Sequence, residues 1–210
     1  MASQISHIVY ARRYFEQLEA GKVGSAIRID KEEFLLGCVF PDIRRIDATI
    51  KRRDTHLCFD SLNLNFAGLS SFRAGWKFHL YCDMRREDIL NKYKFYDAPH
   101  TTDVYNQPAK DLEDELVYDE YNNWEKLVNY FNNPPLVETG LDLDPASFYL
   151  WYAMIARYIE KKPDDKSVRS FLVKQLGLLK DLDEIMKSVG ELRKNEKVKE
   201  ILAGVWREMV

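Results

Sequence analysis

His79 and Asp83 stand four residues apart in the stretch FRAGWKFHLYCDMRREDIL, Phe72 to Leu90. On a helix that spacing puts an imidazole and a carboxylate one turn apart on one face. Together they can grip one transition-metal ion. Gly75 lies one turn before His79 on the same face and lets another backbone or a ligand come close. The flanking Phe72, Trp76, Phe78, Leu80, Tyr81 and Cys82 make the stretch apolar nearly all round, the pattern of a central helix. A simple hydrogen-bonded His–Asp pair has the same spacing, so the chemistry rests on what else the chain supplies.

Three further candidates precede this pair. His7 falls in the first turn of a helix spelled by Gln4 to Ala20. Asp42 follows Pro41 directly, on a turn after an apolar helix end, where a carboxylate is costly unless it is paired with Arg44 or Arg45 or bound to metal. His56 stands beside Leu57, Cys58 and Phe59, which turn it inward. His7, Asp42, His56, His79 and Asp83 are nitrogen and oxygen donors of the kind that bind zinc, manganese or iron. Five donors exceed one tetrahedral zinc with an open position. They suit a pair or cluster of ions with Asp42 or Asp83 bridging them or orienting a water, an arrangement used to activate water for hydrolysis. Cys38, Cys58 and Cys82 are odd in number and lack paired spacing, so they read as reduced intracellular thiols.

The elements that must position these groups are helical. After Gln4 to Ala20, Asp30 to Phe40 carries capping-box spacing at Asp30 and Glu33 and ends at Pro41. The central helix runs from about Phe66 to Lys94. Tyr96 to Lys110, with Pro99 and Pro108, reads as a loop of the length expected of a lid or site wall. Asp111 to Asn132 reads as one amphipathic helix. Asp144 and Pro145 start another that runs to about Glu160. Ser167 to Leu179, Asp183 to Val189 and Glu196 to Met209 read as short helices. Only Ile43 to Asn65 leaves room for a strand. The expected fold class is all-α, with a metal-binding core over 1–135 and a helical extension over 136–210 packed on the same domain.

The order and wording of the motifs resemble the bacterial zinc-dependent phospholipase C-like family. The resemblance is carried by His7 followed by IVYA, by Gly37–Pro41–Asp42, by Thr55–His56, and by Gly75–His79–Leu80–Asp83, and it covers roughly Ser6 to Ile89. It implies an all-helical, metal-dependent phosphoester hydrolase with His7, Asp42, His56, His79 and Asp83 as ligands. The larger members carry a second histidine–glutamate pair and a processed N-terminal tryptophan, both without a counterpart here. One or two zinc ions are therefore expected, with manganese or iron as alternatives and His100, Glu115 or Glu120 as extra donors.

Net charge is −3, and neither it nor any recognisable module supports a nucleic-acid partner. Basic residues gather between Asp42 and Lys94, and Arg44, Arg45, Arg52, Arg53, Arg73 and Lys77 are the candidate contacts to a small phosphorylated substrate or a phospholipid headgroup. The N-terminus lacks the apolar core of a signal peptide, and no run is long enough to span a membrane, so a cytoplasmic location is expected. A homodimer is compatible with this reading. The alternative to a hydrolase is a non-catalytic helical binding module with a closed, structural metal site.

Overall fold

The computed structural model describes residues 3–23, 28–56 and 62–210. Among these the chain is all-α, with no strand. Its helices are α1 (Gln4–Glu19), α2 (Lys31–Val39), α3 (Arg52–Thr55), α4 (Ser71–Lys92), α5 (Asp103–Val117), α6 (Trp124–Asn132), α7 (Pro145–Ile159), α8 (Asp165–Leu172), α9 (Leu182–Leu192) and α10 (Glu196–Gly204). Short 3-10 turns join several of them. No helix among the described residues is long and apolar enough to cross a membrane.

The pair α2 and α4 forms the centre of the fold. The Asp30 carboxylate caps α2 by accepting from Glu33 N, and the Ser70 hydroxyl caps α4 by accepting from Arg73 N. The two helix starts are tied together. Asp30 N donates to Ser71 Oγ, and Phe72 N donates to Glu33 Oε1. From there the helices run side by side in one direction, and two glycines let them touch. A Cβ on Gly75 would lie 1.9 Å from Phe34 O, and one on Gly37 would lie 2.0 Å from Phe72 O. The close neighbour that Gly75 admits is thus the α2 backbone.

This crossing leaves the last carbonyls of α2 buried, and each finds a donor. Tyr152 Oη donates to Leu36 O, the Phe40 N–H to Gly37 O, and Trp151 Nε1 to Val39 O. His79 Nδ1 lies 2.7 Å from Cys38 O. Two of these donors come from α7, so residues after 136 close the end of the central helix pair. Their side chains Phe148, Trp151, Tyr152 and Ile155 share one buried core with Phe40, Phe72 and Trp76.

Helix α1 is held at its start by α5. Ser3 makes no side-chain cap of its own. Instead Asp114 accepts from Ser6 N at 2.8 Å, Ser6 Oγ at 2.7 Å and Ile5 N at 3.4 Å. A buried carboxylate at a helix N-terminus satisfies orphan N–H groups and opposes the helix dipole. Next to it Glu113 accepts from Tyr10 Oη and from Arg86 Nε, with all three side chains buried.

Several sequence expectations need correction, beginning with the central helix, which starts at Ser71 and not near Phe66. The stretch Tyr96 to Lys110 is not a loop throughout, because α5 begins at Asp103. Its first turn is irregular: Val104, Tyr105 and Asn106 all have positive φ, so regular helix starts at Gln107 and Pro108 sits in its first turn, where proline is tolerated. Asp111 to Asn132 is two helices, broken by the 3-10 turn Tyr118–Glu120 and by Tyr121, Asn122 and Asn123. Ser167 to Leu179 stops at Leu172, and Gly177 takes φ +83° in the turn that follows. The described part of Ile43 to Asn65 holds α3 and the end of a 3-10 turn, Phe40–Arg45, with no strand. Cys58 and the rest of 57–61 lie outside the described residues.

Candidate metal centre

Each imidazole is delivered by a different element. His7 comes from the first turns of α1, His79 from the middle of α4, and His56 from the residue that ends α3. Asp83 follows His79 by one turn. The His7 and His79 rings stack with centroids 3.9 Å apart and planes 3° from parallel. The His56 ring stands edge-on to His79 at 5.9 Å. His7 Nε2 lies 3.5 Å from Asp83 Oδ1, while His79 Nε2 and His56 Nε2 lie 3.6 and 3.8 Å from Asp83 Oδ2. One donor atom each from His7, His79 and Asp83 falls within a mutual 4.8 Å.

The proton positions follow from the other ring nitrogens. His7 Nδ1 is 2.8 Å from Ser3 O, and His79 Nδ1 is 2.7 Å from Cys38 O. A carbonyl only accepts, so each Nδ1 carries the hydrogen and, in a neutral ring, each Nε2 carries a lone pair. Burial pushes His79 down to about 3 and His56 down to about 4, so these two rings are neutral at physiological pH. Burial alone would raise the Asp83 carboxyl, but neighbours led by His79 outweigh it and hold the group well below its ordinary value. At His79 a lone pair therefore faces a carboxylate in a buried space. Nε2 of His7, His56 and His79 makes no hydrogen bond among the described residues.

Acceptors crowded in this way repel one another unless a cation lies among them. The spacing fits such a cation. Ligands that each bind zinc at 2.0–2.1 Å in tetrahedral geometry sit roughly 3.3 Å from one another. The Nδ1-to-carbonyl bonds of His7 and His79 are the outer contacts that fix tautomer and ring orientation in metal-binding histidines. His7, His79 and Asp83 could together hold a divalent transition metal, with His56 beside them.

One side of the group is open. A cleft of about 380 Å³ is lined by His56 and Asp83 together with Arg52, Leu62, Leu80, Met84 and Glu87. His7 and His79 are fully buried behind it, whereas Asp83 and His56 keep about a tenth of their side-chain surface exposed.

Asp42 is buried next to this group, but its partners are protein donors. Gln4 Nε2 donates to Oδ2 at 3.0 Å, and Arg45 Nε and Arg44 Nη2 lie 3.2 and 3.4 Å from Oδ1. Burial raises its carboxyl, and Arg45, His79 and Arg44 more than offset this and hold it below the usual range. Arg45 also donates to Gln175 Oε1 at 2.8 Å and Gln107 Oε1 at 3.3 Å, which links Asp42 to α5 and to the turn after α8.

The remaining candidates divide by position. Arg52 lines the cleft, and Arg53 is exposed on the same short helix beside Asp54. Arg73 lies over the Trp76 ring and donates to Thr139 O, and Lys77 donates to Asn63 Oδ1 and Asn65 O. Neither lines the cleft. His100 is exposed and paired with Asp103, Glu115 holds Arg193, and Glu120 ends a 3-10 turn. None of the three joins the ligand group. Cys38 and Cys82 are buried free thiols outside it. Sequence reading missed Gln4, the carbonyls of Ser3 and Cys38, Thr55 against His56 Nδ1, and Glu87 in the cleft. Ser3 and Thr55 left signals, the one four residues before His7 and the other next to His56. The chain matches no protein-family model, no curated protein and no solved structure.

Proposed function

We propose that this chain is a metal-dependent hydrolase of a phosphoester, with water as the nucleophile. The observation that carries the reading is the convergence of three imidazole nitrogens on the Asp83 carboxylate at the floor of an open cleft. His7, His79 and Asp83 would hold zinc, or manganese or iron, with His56 and Asp42 at hand for a second ion. Such an ion supplies Lewis acidity toward a phosphoryl oxygen and brings the pKa of water down to about 7.

The chain's own residues do the rest. Asp83 turns Oδ1 to His7 and Oδ2 to His79 and His56, so it reaches both sides of the group and can orient a water in the cleft. Asp42, fixed by Gln4 and Arg45, adds a second negative charge beside His79. Arg52 on the cleft wall is placed to meet a phosphoryl group, and a guanidinium suits bidentate phosphate contact. Arg44 and Arg53 add positive potential on the same side. Leu62, Leu80 and Met84 give the cleft an apolar wall for the alcohol part of the ester. The resemblance to zinc-dependent phospholipase C-like proteins supports the same reaction on a small phosphorylated compound or a phospholipid headgroup. Free Cys38 and Cys82 suit a reducing compartment, so we place the protein in the cytoplasm.

The opening onto the cleft favours catalysis over a closed structural ion. The test is elemental analysis of the purified protein, joined to assays of phosphomonoesters, phosphodiesters and phospholipids with added zinc, manganese or iron. About one equivalent of metal or more, with turnover of one of these classes, is expected. Absence of metal and of turnover under every condition would defeat the reading. His79→Ala should abolish turnover while the far-ultraviolet spectrum stays helical. A variant that turns over normally would move the chemistry elsewhere.

A further inference from the structure

A large cavity lies between α7 and α8 and shares no residue with the cleft over Asp83. Its volume is about 560 Å³, within the range of small-molecule sites. Two stripes line it at helical spacing. Met154, Arg157, Tyr158 and Lys161 come from α7 and the residues after it, and Ser167, Ser170, Phe171 and Lys174 from α8 and the turn that follows. Tyr158 and Phe171 stack at 4.3 Å and close the floor. Of the two α8 serines on the groove, Ser167 is engaged in the cap with Asp164, and Ser170 leaves its side of the groove without bulk. A leucine or phenylalanine there would interdigitate with α7, as in ordinary helix packing.

The charge of the lining is mostly positive. Arg157, Lys161, Lys166 and Lys174 face the cavity against the single acid Glu160. Arg157 is paired with Glu160, and Lys161 with Asp164. Lys166 and Lys174 make no ion pair among the described residues. A concave site with an apolar, aromatic floor and two uncompensated ammonium groups on its rim complements an organic anion. The anionic head would meet Lys166, Lys174 and the Ser170 hydroxyl, while the apolar body would cover Met154, Tyr158 and Phe171. We infer that the α7–α8 groove is a second binding site, independent of the metal centre, for a small organic carboxylate or phosphate with an apolar body.

The test is calorimetric titration of the full chain with octyl phosphate and with octanoate, alongside neutral octyl glucoside and phosphatidylglycerol vesicles. Saturable binding of at least one free anion at one site is expected, at least tenfold tighter than octyl glucoside. The double variant Lys166→Glu/Lys174→Glu should weaken it at least tenfold. Ser170→Leu, which fills the groove without touching a charge, should abolish it, with both variants melting near the parent. Asp83→Asn should leave it unchanged, so failure of the hydrolase reading and failure of this one are separable. The inference is overturned by the absence of saturable binding, or by binding that ignores the groove substitutions or depends on Asp83. Binding to vesicles alone would overturn it too, since that would make the face a lipid-surface contact rather than a pocket.

Discussion

Replacing Gly75 with alanine tests whether the helix crossing builds the metal centre. The added Cβ would stand 1.9 Å from Phe34 O, 2.8 Å from Phe34 C and 3.0 Å from Cys38 N, all of them backbone. Ordinary C···O contact begins near about 3.3 Å, so α2 and α4 must separate by more than about 1 Å. The His79 Nδ1–Cys38 O bond crosses the same interface one turn further on, and its 2.7 Å would stretch beyond hydrogen-bond reach. Overpacking of a tight core costs about 1–3 kcal/mol. Losing a buried hydrogen bond with its donor stranded costs about 1–3 kcal/mol more. For a chain of this size the sum lowers Tm by on the order of 10 °C. Metal affinity should drop about 10–100-fold, because the bond that orients His79 is gone. Thermal melting and competition with a zinc-chelating dye measure the two effects. Gly190→Ala is the control: it lies inside α9, its Cβ would meet nothing within 4 Å, and its Tm should hold or rise. A Gly75→Ala protein that melts within about 2 °C of the parent and binds zinc equally well would refute the argument.

Asp114→Ala should destabilise by about 2–4 kcal/mol, because it strips three hydrogen bonds from the start of α1 and leaves Ser6 and Ile5 N–H groups buried. Urea unfolding measures this, and a loss under about 0.5 kcal/mol would reject the cap. Burial raises the Asp111 carboxyl to about 7 and that of Asp114 to about 6. A folded-state value above the unfolded one means stability is fully present below about pH 4 and is lost as pH rises toward 7. Asp111→Asn should flatten the stability–pH curve between those limits, and an unchanged slope would show that Asp111 is ionised in the fold. Zinc at about 100 times its Kd should stabilise the stripped protein by about 2.7 kcal/mol. The gain should vanish in His79→Ala, and its persistence there would place the ion elsewhere.

Interactions between residues close in the sequence explain most of what could be read before the structure. Asp30 with Glu33, Pro41, Asp144 with Pro145 and the i, i+4 pair His79–Asp83 all act within one or two turns, so their spacing alone reveals them. The breaks that went unread have causes of another kind. The left-handed run at Val104, Tyr105 and Asn106 involves no glycine, and the buried Lys110 donates back to Tyr105 O. A conformation that costs about 1–3 kcal/mol at each such residue is one for which local propensity carries no mark. The basic segment divides for the same reason. Arg52 and Arg73 look alike in composition, yet one lines the cleft while the other crosses Trp76 to hold Thr139 O. The ligand histidines stand between these extremes. Their types and order were legible, but what aims His79 was not, because the Cys38 carbonyl belongs to no side-chain pattern. Its position follows from the crossing: Asp30 N bonds Ser71 Oγ and Cys38 O bonds His79, both pairs 41 residues apart. Parallel helices in contact keep such an offset constant. Gly75, equally offset from Phe34, is therefore the one place in the sequence where the aim of His79 was already recorded, as room left for a backbone.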